Sequence, residues 1–112
     1  MSSTPREHNL VDRILKYVNG LNNCKCIKIH GDEYTETGTP DLFAVVYGLP
    51  VLIEVKRKGE EPTAIQYARL RQWKRAGAIV TWVDNFKAVQ DLIAKIDAVR
   101  TYDDLRTQGV EL

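Results

Sequence analysis

Apolar residues near the start of the chain recur three and four positions apart, which is the spacing of one helix face. The stripe consists of Leu10, Val11, Ile14 and Val18. Thr4 suits the N-cap, Pro5 suits the first helical position, and Glu7 completes a capping box. The Asn19-Gly20 pair then ends the pattern. The sequence therefore predicts a first helix over residues 5–18.

Short runs of β-branched and apolar residues predict three strands in the next part of the chain. They cover residues 24–29, 42–47 and 51–56, and the segment 30–39 is polar and typical of turns. Gly48 separates the second run from the third. This spacing predicts a β-hairpin.

The second half of the chain alternates helix and strand patterns. Thr63 and Gln66 form another capping box, and Gly77 ends the helix that follows it. The remaining predicted elements are a helix over residues 64–76, a strand over 78–83, a helix over 86–99, and either a short helix over 102–106 or a surface tail.

The predicted order αβββαβα indicates an α/β fold, with a mixed sheet flanked by helices on both faces. The crossover through the second helix makes strands 51–56 and 78–83 parallel neighbours. The length of 112 residues predicts a single domain over residues 1–112.

Composition adds a cellular setting. The chain is 44% hydrophobic and 28% charged, as is usual for a soluble globular protein. It has no apolar run of membrane-spanning length and no signal-peptide layout at its N-terminus. We therefore expect a cytoplasmic protein with no membrane partner. Cys24 and Cys26 are interpreted as strand residues with reduced thiols, because no second Cys or His pair accompanies them.

The distribution of charge is more informative than the net charge of +1. Seven of the sixteen basic residues fall within residues 56–75: Lys56, Arg57, Lys58, Arg69, Arg71, Lys74 and Arg75. Such a cluster is compatible with phosphate contact, but a solvated helix face explains the charges equally well.

Two short motifs carry the candidate chemistry, Gly38-Thr39-Pro40-Asp41 and Glu54-Val55-Lys56. If the hairpin turn consists of Gly48-Leu49, Asp41 lies opposite Lys56. Alternation of side chains then places Asp41, Glu54 and Lys56 on one face of the sheet. The two carboxylates become diagonal neighbours with Cα atoms about 7–8 Å apart. A turn one residue longer would move Asp41 to the other face.

Two carboxylates at this separation repel each other, and a divalent cation relieves the repulsion. Oxygen ligands suit Mg²⁺ or Mn²⁺. The carbonyl of Val55 is a further candidate ligand, and Lys56 is placed to orient water or stabilise phosphoryl charge. The alternative is an ordinary surface hairpin with unrelated charged residues.

The two motifs, together with Gln66, resemble the PD-(D/E)xK nuclease superfamily and, within it, the VRR-Nuc family. The resemblance covers residues 5–96 and includes the Ala76-Gly77 end of the second helix. It departs at the start of that helix, where the family's Ser-Pro-x-Gln is Thr63-Ala64-Ile65-Gln66 here. It implies a restriction-endonuclease-like core.

The same resemblance implies that Asp41 and Glu54 bind metal and that Lys56 is the catalytic lysine. It also implies that Glu7 and Gln66 belong to the site, with Glu7 as an additional metal ligand. Both residues could instead serve only their capping boxes. The helical wheel favours a site role, because both point between apolar residues and buried polar groups need partners.

Candidate DNA contacts follow from position and residue type. Arg57 and Lys58 come just after the Glu54-Val55-Lys56 motif, and Tyr67 lies on the outer side of its helix. The further candidates are Arg71, Lys74 and Arg75. Trp73 and Trp82 are expected in the core.

The resemblance implies a metal-dependent, structure-specific DNA endonuclease that cuts branched DNA such as four-way junctions as a homodimer. Tyr102 and Leu105 are candidate interface residues, and no nucleotide cofactor is expected. The resemblance to stand-alone phage and bacterial members also implies the cytosol of a bacterium or a phage-infected cell. The alternatives are a nuclease of another specificity (flap, single-strand or restriction-like) and a non-catalytic nucleic-acid-binding subunit.

Overall fold

The predicted order of elements is confirmed. A computed structural model describes the backbone of residues 5–109 and the side chains of residues 9–100. The helices and strands are α1 (Pro5–Asn19), β1 (Cys24–Lys28), β2 (Leu42–Val46), β3 (Leu49–Val55), α2 (Ala64–Arg75), β4 (Ile79–Val83) and α3 (Phe86–Gly109). None of the helices in this part of the chain is long and apolar enough to span a membrane.

The four strands form one mixed sheet in the order β1-β2-β3-β4. The first three strands are antiparallel, and β4 is parallel to β3, as the crossover through α2 requires. The carboxyl ends of β3 and β4 therefore lie side by side. Glu54 and Lys56 belong to this end of the sheet.

The hairpin turn differs from the predicted one by one residue. The turn is Tyr47-Gly48, and Val46 pairs with Leu49. Tyr47 has a φ of 50° and Gly48 a φ of 87°, which are the positive values that a tight two-residue hairpin turn needs at both positions. The predicted pairing of Asp41 with Lys56 is therefore wrong. Asp41 lies opposite Glu54, one step beyond the last ladder pair.

The changed register leaves the predicted face intact. Each residue of β2 pairs with a β3 residue two positions earlier than predicted. Because side chains alternate with a period of two, Asp41 and Glu54 still share one face. Directly opposite residues are closer than diagonal ones. The observed turn thus brings the two carboxylates nearer to each other than the predicted turn does.

The two faces of the sheet are covered by different helices. Side chains from α1 and α3 pack with Leu42, Ala44 and Val55 in the main hydrophobic core, which includes Ile14 at 0% exposure. On the other face, Leu52 of β3 and Leu70 of α2 are buried. Glu54 and Lys56 alternate with Val55 along the chain, so they lie on the α2 face.

The third helix is longer than predicted. α3 runs without interruption to Gly109, in place of a helix ending at residue 99 and a separate short helix or surface tail. The segment contains neither proline nor an internal glycine, so nothing in it breaks a helix that α1 and the sheet already support. Tyr102 and Leu105 lie outside the residues with described side chains.

The two cysteines are free, in agreement with the prediction. Cys26 is buried, and burial raises the pKa of its thiol to about 11, so the thiol stays protonated and unreactive at neutral pH. Its backbone exchanges two hydrogen bonds with the Asn19 side chain, at 2.9 and 3.0 Å. These bonds attach the end of α1 to β1.

Candidate active site

The segment before Asp41 is shaped by close contact with α2. Gly38 has a φ of +84°, and a Cβ atom there would lie 3.1 Å from the backbone carbonyl of Ile65. A side chain at residue 38 would therefore be strained by its backbone conformation and crowded by the helix. Pro40, two residues on, is fully buried. The first motif thus requires both its glycine and its proline to fix where Asp41 begins the strand.

Arg69 secures the same segment, and sequence reasoning did not select it. Its Nε donates to the carbonyl of Thr37 at 2.9 Å, and its Nη1 lies 3.8 Å from Oε2 of Glu36. Arg69 follows Gln66 by three positions, so both lie on one side of α2. That spacing from Gln66 is the signal that could have identified Arg69 as a positioning residue.

Asp41 is held by the backbone of β3. The Val55 N–H donates to Oδ2 of Asp41 at 2.8 Å. The N–H and C=O of one strand residue point towards the same neighbouring strand. The carbonyl of Val55, predicted as a ligand, therefore points to the same side as the Asp41 carboxylate.

Glu54 is buried at the centre of the site. It is 3% exposed and is the one buried charged residue among the side chains of residues 9–100. Its Oε2 accepts a hydrogen bond from Nε2 of Gln66 at 3.2 Å. Burying a carboxylate without partners is costly, so this contact holds Glu54 in one orientation.

Lys56 lies on the same face as Glu54. Its Nζ is 3.9 Å from Oε2 of Glu54, and its side chain is 14% exposed. Its backbone N–H donates to the carbonyl of Val83 at 2.8 Å, which extends the pairing of β3 with β4. The amine is thus near the carboxylates on a rigid strand end. The structure brings together Asp41, Glu54 and Lys56, as the sequence predicted.

Gln66 forms its capping box and also contacts Glu54. Its Oε1 accepts from the Thr63 N–H at 2.9 Å, and its own N–H donates to Oγ1 of Thr63 at 3.3 Å, so the capping box is formed. Because the amide oxygen is used in the cap, the amide nitrogen is directed to Glu54. Capping therefore orients the side chain for its contact in the site.

Replacing Gln66 with glutamate separates these two roles. Glutamate also completes a capping box, so the start of α2 is expected to be kept, and the variant should fold with some loss of stability from the two adjacent carboxylates. It cannot donate to Glu54, and it adds a negative charge beside a buried carboxylate. Steady-state cleavage assays should show at least a tenfold loss of activity. A variant that melts like the wild type and cleaves DNA at the wild-type rate would leave Gln66 with the capping role alone.

Two predicted residues at the start of the first helix lie outside what the structure describes. Thr4 lies outside the described residues, and the side chain of Glu7 lies outside those described for α1. The role of Glu7 as a site residue and metal ligand stays a prediction.

Comparison with solved structures identifies the architecture. No protein-family model matches the sequence, and no curated protein matches it either. A solved "VRR_NUC domain" is similar with a TM-score of 0.69 and 24% sequence identity, over 81% of this chain and 97% of that chain. A "VRR_NUC domain protein" is similar with a TM-score of 0.64 and 14% identity, over 84% of this chain and 89% of that chain.

The chain has the fold of a VRR_NUC domain. The fold implied by the resemblance of the motifs is thereby confirmed. In this VRR_NUC fold the Asp41, Glu54 and Lys56 side chains meet where β2 begins and β3 ends. The antiparallel hairpin brings these residues together, and contacts with α2 hold the segment before Asp41 and the Glu54 side chain.

The donor groups at the centre of this VRR_NUC fold suit a hard divalent cation. They are the Asp41 and Glu54 carboxylates and the Val55 carbonyl, all of them oxygen donors. Among the side chains of residues 9–100, no group of three or more His, Cys, Asp or Glu residues could hold a metal. The described ligand set therefore consists of two carboxylates and a carbonyl, and Mg²⁺ or Mn²⁺ fits its chemistry.

The predicted DNA contacts form two groups, one next to Lys56 or Gln66 in the chain and the other further along α2. Arg57 and Lys58 are exposed and directly follow Lys56, and Arg57 pairs with Glu60. Tyr67 is half-buried, one residue after Gln66. The other three candidates are exposed and lie further along α2: Arg71, Lys74 and Arg75.

The last turn of α2 is too far from Gln66 to contact a group bound there. Lys74 is eight residues beyond Gln66, which is about 12 Å along the helix axis. Lys74 and Arg75 occupy the last turn, where basic residues also interact favourably with the helix dipole.

The prediction that Trp73 lies in the core is wrong, since it is 39% exposed. Trp82, on β4, is half-buried.

Proposed function

We propose that the protein belongs to the VRR-Nuc family and is a metal-dependent endodeoxyribonuclease that hydrolyses phosphodiester bonds. One observation carries this proposal. Glu54 is 3% exposed, yet it lies opposite Asp41, with the Lys56 amine 3.9 Å away and the Gln66 amide 3.2 Å away. A buried carboxylate with these neighbours has little value for stability. Its retention is explained by metal binding and phosphoryl chemistry.

Each residue has a separate task in the proposed reaction. Asp41, Glu54 and the Val55 carbonyl would hold Mg²⁺ or Mn²⁺, with Glu7 as a further predicted ligand. Such an ion lowers the pKa of bound water and polarises a phosphoryl oxygen.

The other residues orient these groups. The Val55 N–H holds one oxygen of Asp41, and the Gln66 amide holds one oxygen of Glu54. Lys56 binds the attacking water or the phosphoryl oxygens, whose negative charge grows in the transition state. Its charge acts strongly there, because its side chain is largely shielded from solvent.

The proposed substrate is branched DNA, such as a four-way junction, cut by a homodimer. A two-fold axis gives a dimer two opposed active sites, which suits two opposed strands of a junction. Val99, which is 57% exposed on α3 and precedes the candidate interface residue Tyr102 by three positions, supports self-association through this helix.

A cleavage panel tests the proposal. Four-way junction, flap, single-stranded and linear duplex DNA should be incubated with Mg²⁺, with Mn²⁺ and with EDTA, beside light scattering of the same samples. We expect cleavage of the junction with either metal, none with EDTA, and a dimeric mass. If all four substrates stay intact with both metals, the proposed nuclease activity is refuted. Equal cleavage of linear duplex, or a monomeric mass, would refute the junction specificity or the dimer alone.

A further inference from the structure

A cleft of about 380 Å³ lies beside the end of β3. Its walls come from α1, the segment after β3 and the start of α3, and include Arg13, Lys56, Arg57, Lys58, Asp84 and Asn85. Lys56 belongs both to this cleft and to the site, because its Nζ also lies 3.9 Å from Glu54. The cleft therefore adjoins the active site at Lys56.

The lining of the cleft has more positive than negative charge. It contains the four cations Arg13, Lys56, Arg57 and Lys58 and the single carboxylate Asp84. The hydrogen bond that Asn85 donates lowers the pKa of Asp84 from its usual value, so this carboxylate keeps its charge. Arg57 is paired with Glu60, and Lys56 lies beside Glu54, so the surplus positive charge comes chiefly from Arg13 and Lys58. Clefts lined by one sign of charge attract ligands of the opposite sign.

Arg13 is held in position at the cleft by an aromatic ring. Its guanidinium carbon lies 4.2 Å from the centroid of the Phe86 ring, and Phe86 in turn packs edge-on against Tyr17 at 5.2 Å. Among the side chains that the structure describes, Arg13 forms no ion pair with a carboxylate. A guanidinium placed over an aromatic ring keeps its N–H donors available for an oxyanion. Arg13 is thus oriented for an anion that the fold itself does not provide.

We propose that this cleft is a second phosphate subsite, which binds a phosphodiester next to the one that is cleaved, with Arg13 as its principal ligand. The proposal rests on the proposed nuclease function, since the neighbouring phosphate belongs to the strand that the site cuts. Lys58 is exposed at the same cleft and supplies a second charge. Phosphate contacts of this type fix the register of a nucleic acid strand. The sequence did not suggest Arg13, because it is 43 positions from Lys56 along the chain.

The test compares Arg13→Gln with Lys16→Gln, a matched loss of one positive charge. Lys16 is exposed one turn further along α1 and does not line this cleft. Affinity for junction DNA should be measured by titration with Ca²⁺ over a range of salt concentrations. We expect Arg13→Gln to bind about tenfold more weakly, and its slope of log affinity against log salt to be shallower by about 0.9. Lys16→Gln should match the wild type, and in cleavage assays Arg13→Gln should raise KM with little change in kcat.

A chemical change in the DNA identifies the phosphate. A neutral methylphosphonate, placed at each position on either side of the scissile phosphate, should weaken binding by the wild type at one position and have little effect on Arg13→Gln there. Arg13→Lys, which keeps the charge, should recover most of the salt slope. Melting curves identify any variant that is unfolded.

The outcomes separate this proposal from the proposed function. If the wild type cuts DNA and Arg13→Gln has the affinity and salt slope of Lys16→Gln, the subsite is refuted and the nuclease stands. A fall in kcat with an unchanged slope would also refute the subsite. If the wild type neither binds nor cuts DNA, both proposals fail.

Discussion

DNA cleavage is expected to fall by at least about 10²–10³-fold when Lys56 is replaced with alanine, the usual scale for losing a group that stabilises transition-state charge. The reason is the position of the amine, 3.9 Å from Glu54 Oε2 at the end of β3. From there it can reach a phosphoryl oxygen, or the water that attacks it. Single-turnover cleavage rates with Mg²⁺ measure the effect on the chemical step.

Lys87→Ala is the matched control for this substitution. Lys87 is exposed on α3 and contacts Asp91 at 3.0–3.1 Å, so its loss should leave both cleavage and folding unchanged. Lys56→Ala is expected to remain folded, with some loss of stability because Glu54 loses a neighbouring cation. Cleavage by folded Lys56→Ala within threefold of Lys87→Ala would contradict the role assigned to Lys56.

The shared face of Asp41 and Glu54 could be predicted because it depends only on whether the hairpin turn has an even or an odd number of residues. A two-residue turn at either position places Asp41 and Glu54 on the same side of the sheet. The position of the turn could not be predicted locally. It places Tyr47 at a φ of 50°, which is uncommon for a residue with a side chain.

The cause of that turn lies far away in the sequence. The guanidinium carbon of Arg100, on α3, is 4.1 Å from the centroid of the Tyr47 ring. Burial of the Tyr47 hydroxyl raises its pKa, with contributions from Cys24 and Asp97. Contacts from α3 and β1 thus favour the tyrosine within the turn. A pattern read over a few residues contains none of these partners.

Gln66 shows a different limit of sequence reasoning. The sequence presents capping and a place beside the carboxylates as alternatives, but the two ends of one amide make both contacts. The cleft around Arg13 shows a third limit, since residues from α1, from the segment after β3 and from the start of α3 meet there only through the fold. Motif spacing finds residues on one hairpin, whereas groups on separate elements need the tertiary structure.

Metal-dependent stabilisation is expected to disappear, together with cleavage, in Asp41→Asn. A ligand present at 100 times its dissociation constant stabilises the folded state by about 2.7 kcal/mol. For a domain of this size that corresponds to a rise in Tm on the order of 10 °C. The wild type should show such a rise with Mn²⁺, and Asp41→Asn should show little or none, because a neutral amide is a weaker ligand for a hard cation than a carboxylate.

The substitution is chosen to leave the fold intact. The amide oxygen of asparagine can still accept the hydrogen bond that Val55 N–H donates to Asp41 at 2.8 Å. Without metal, the Tm of Asp41→Asn should therefore equal that of the wild type or exceed it, because one of two facing carboxylates loses its charge. Asp91→Asn is the control, since that carboxylate is exposed on α3 and pairs with Lys87. Equal Mn²⁺ shifts for Asp41→Asn and the wild type would show that the metal binds elsewhere, and the proposed role of the two motifs would fail with it.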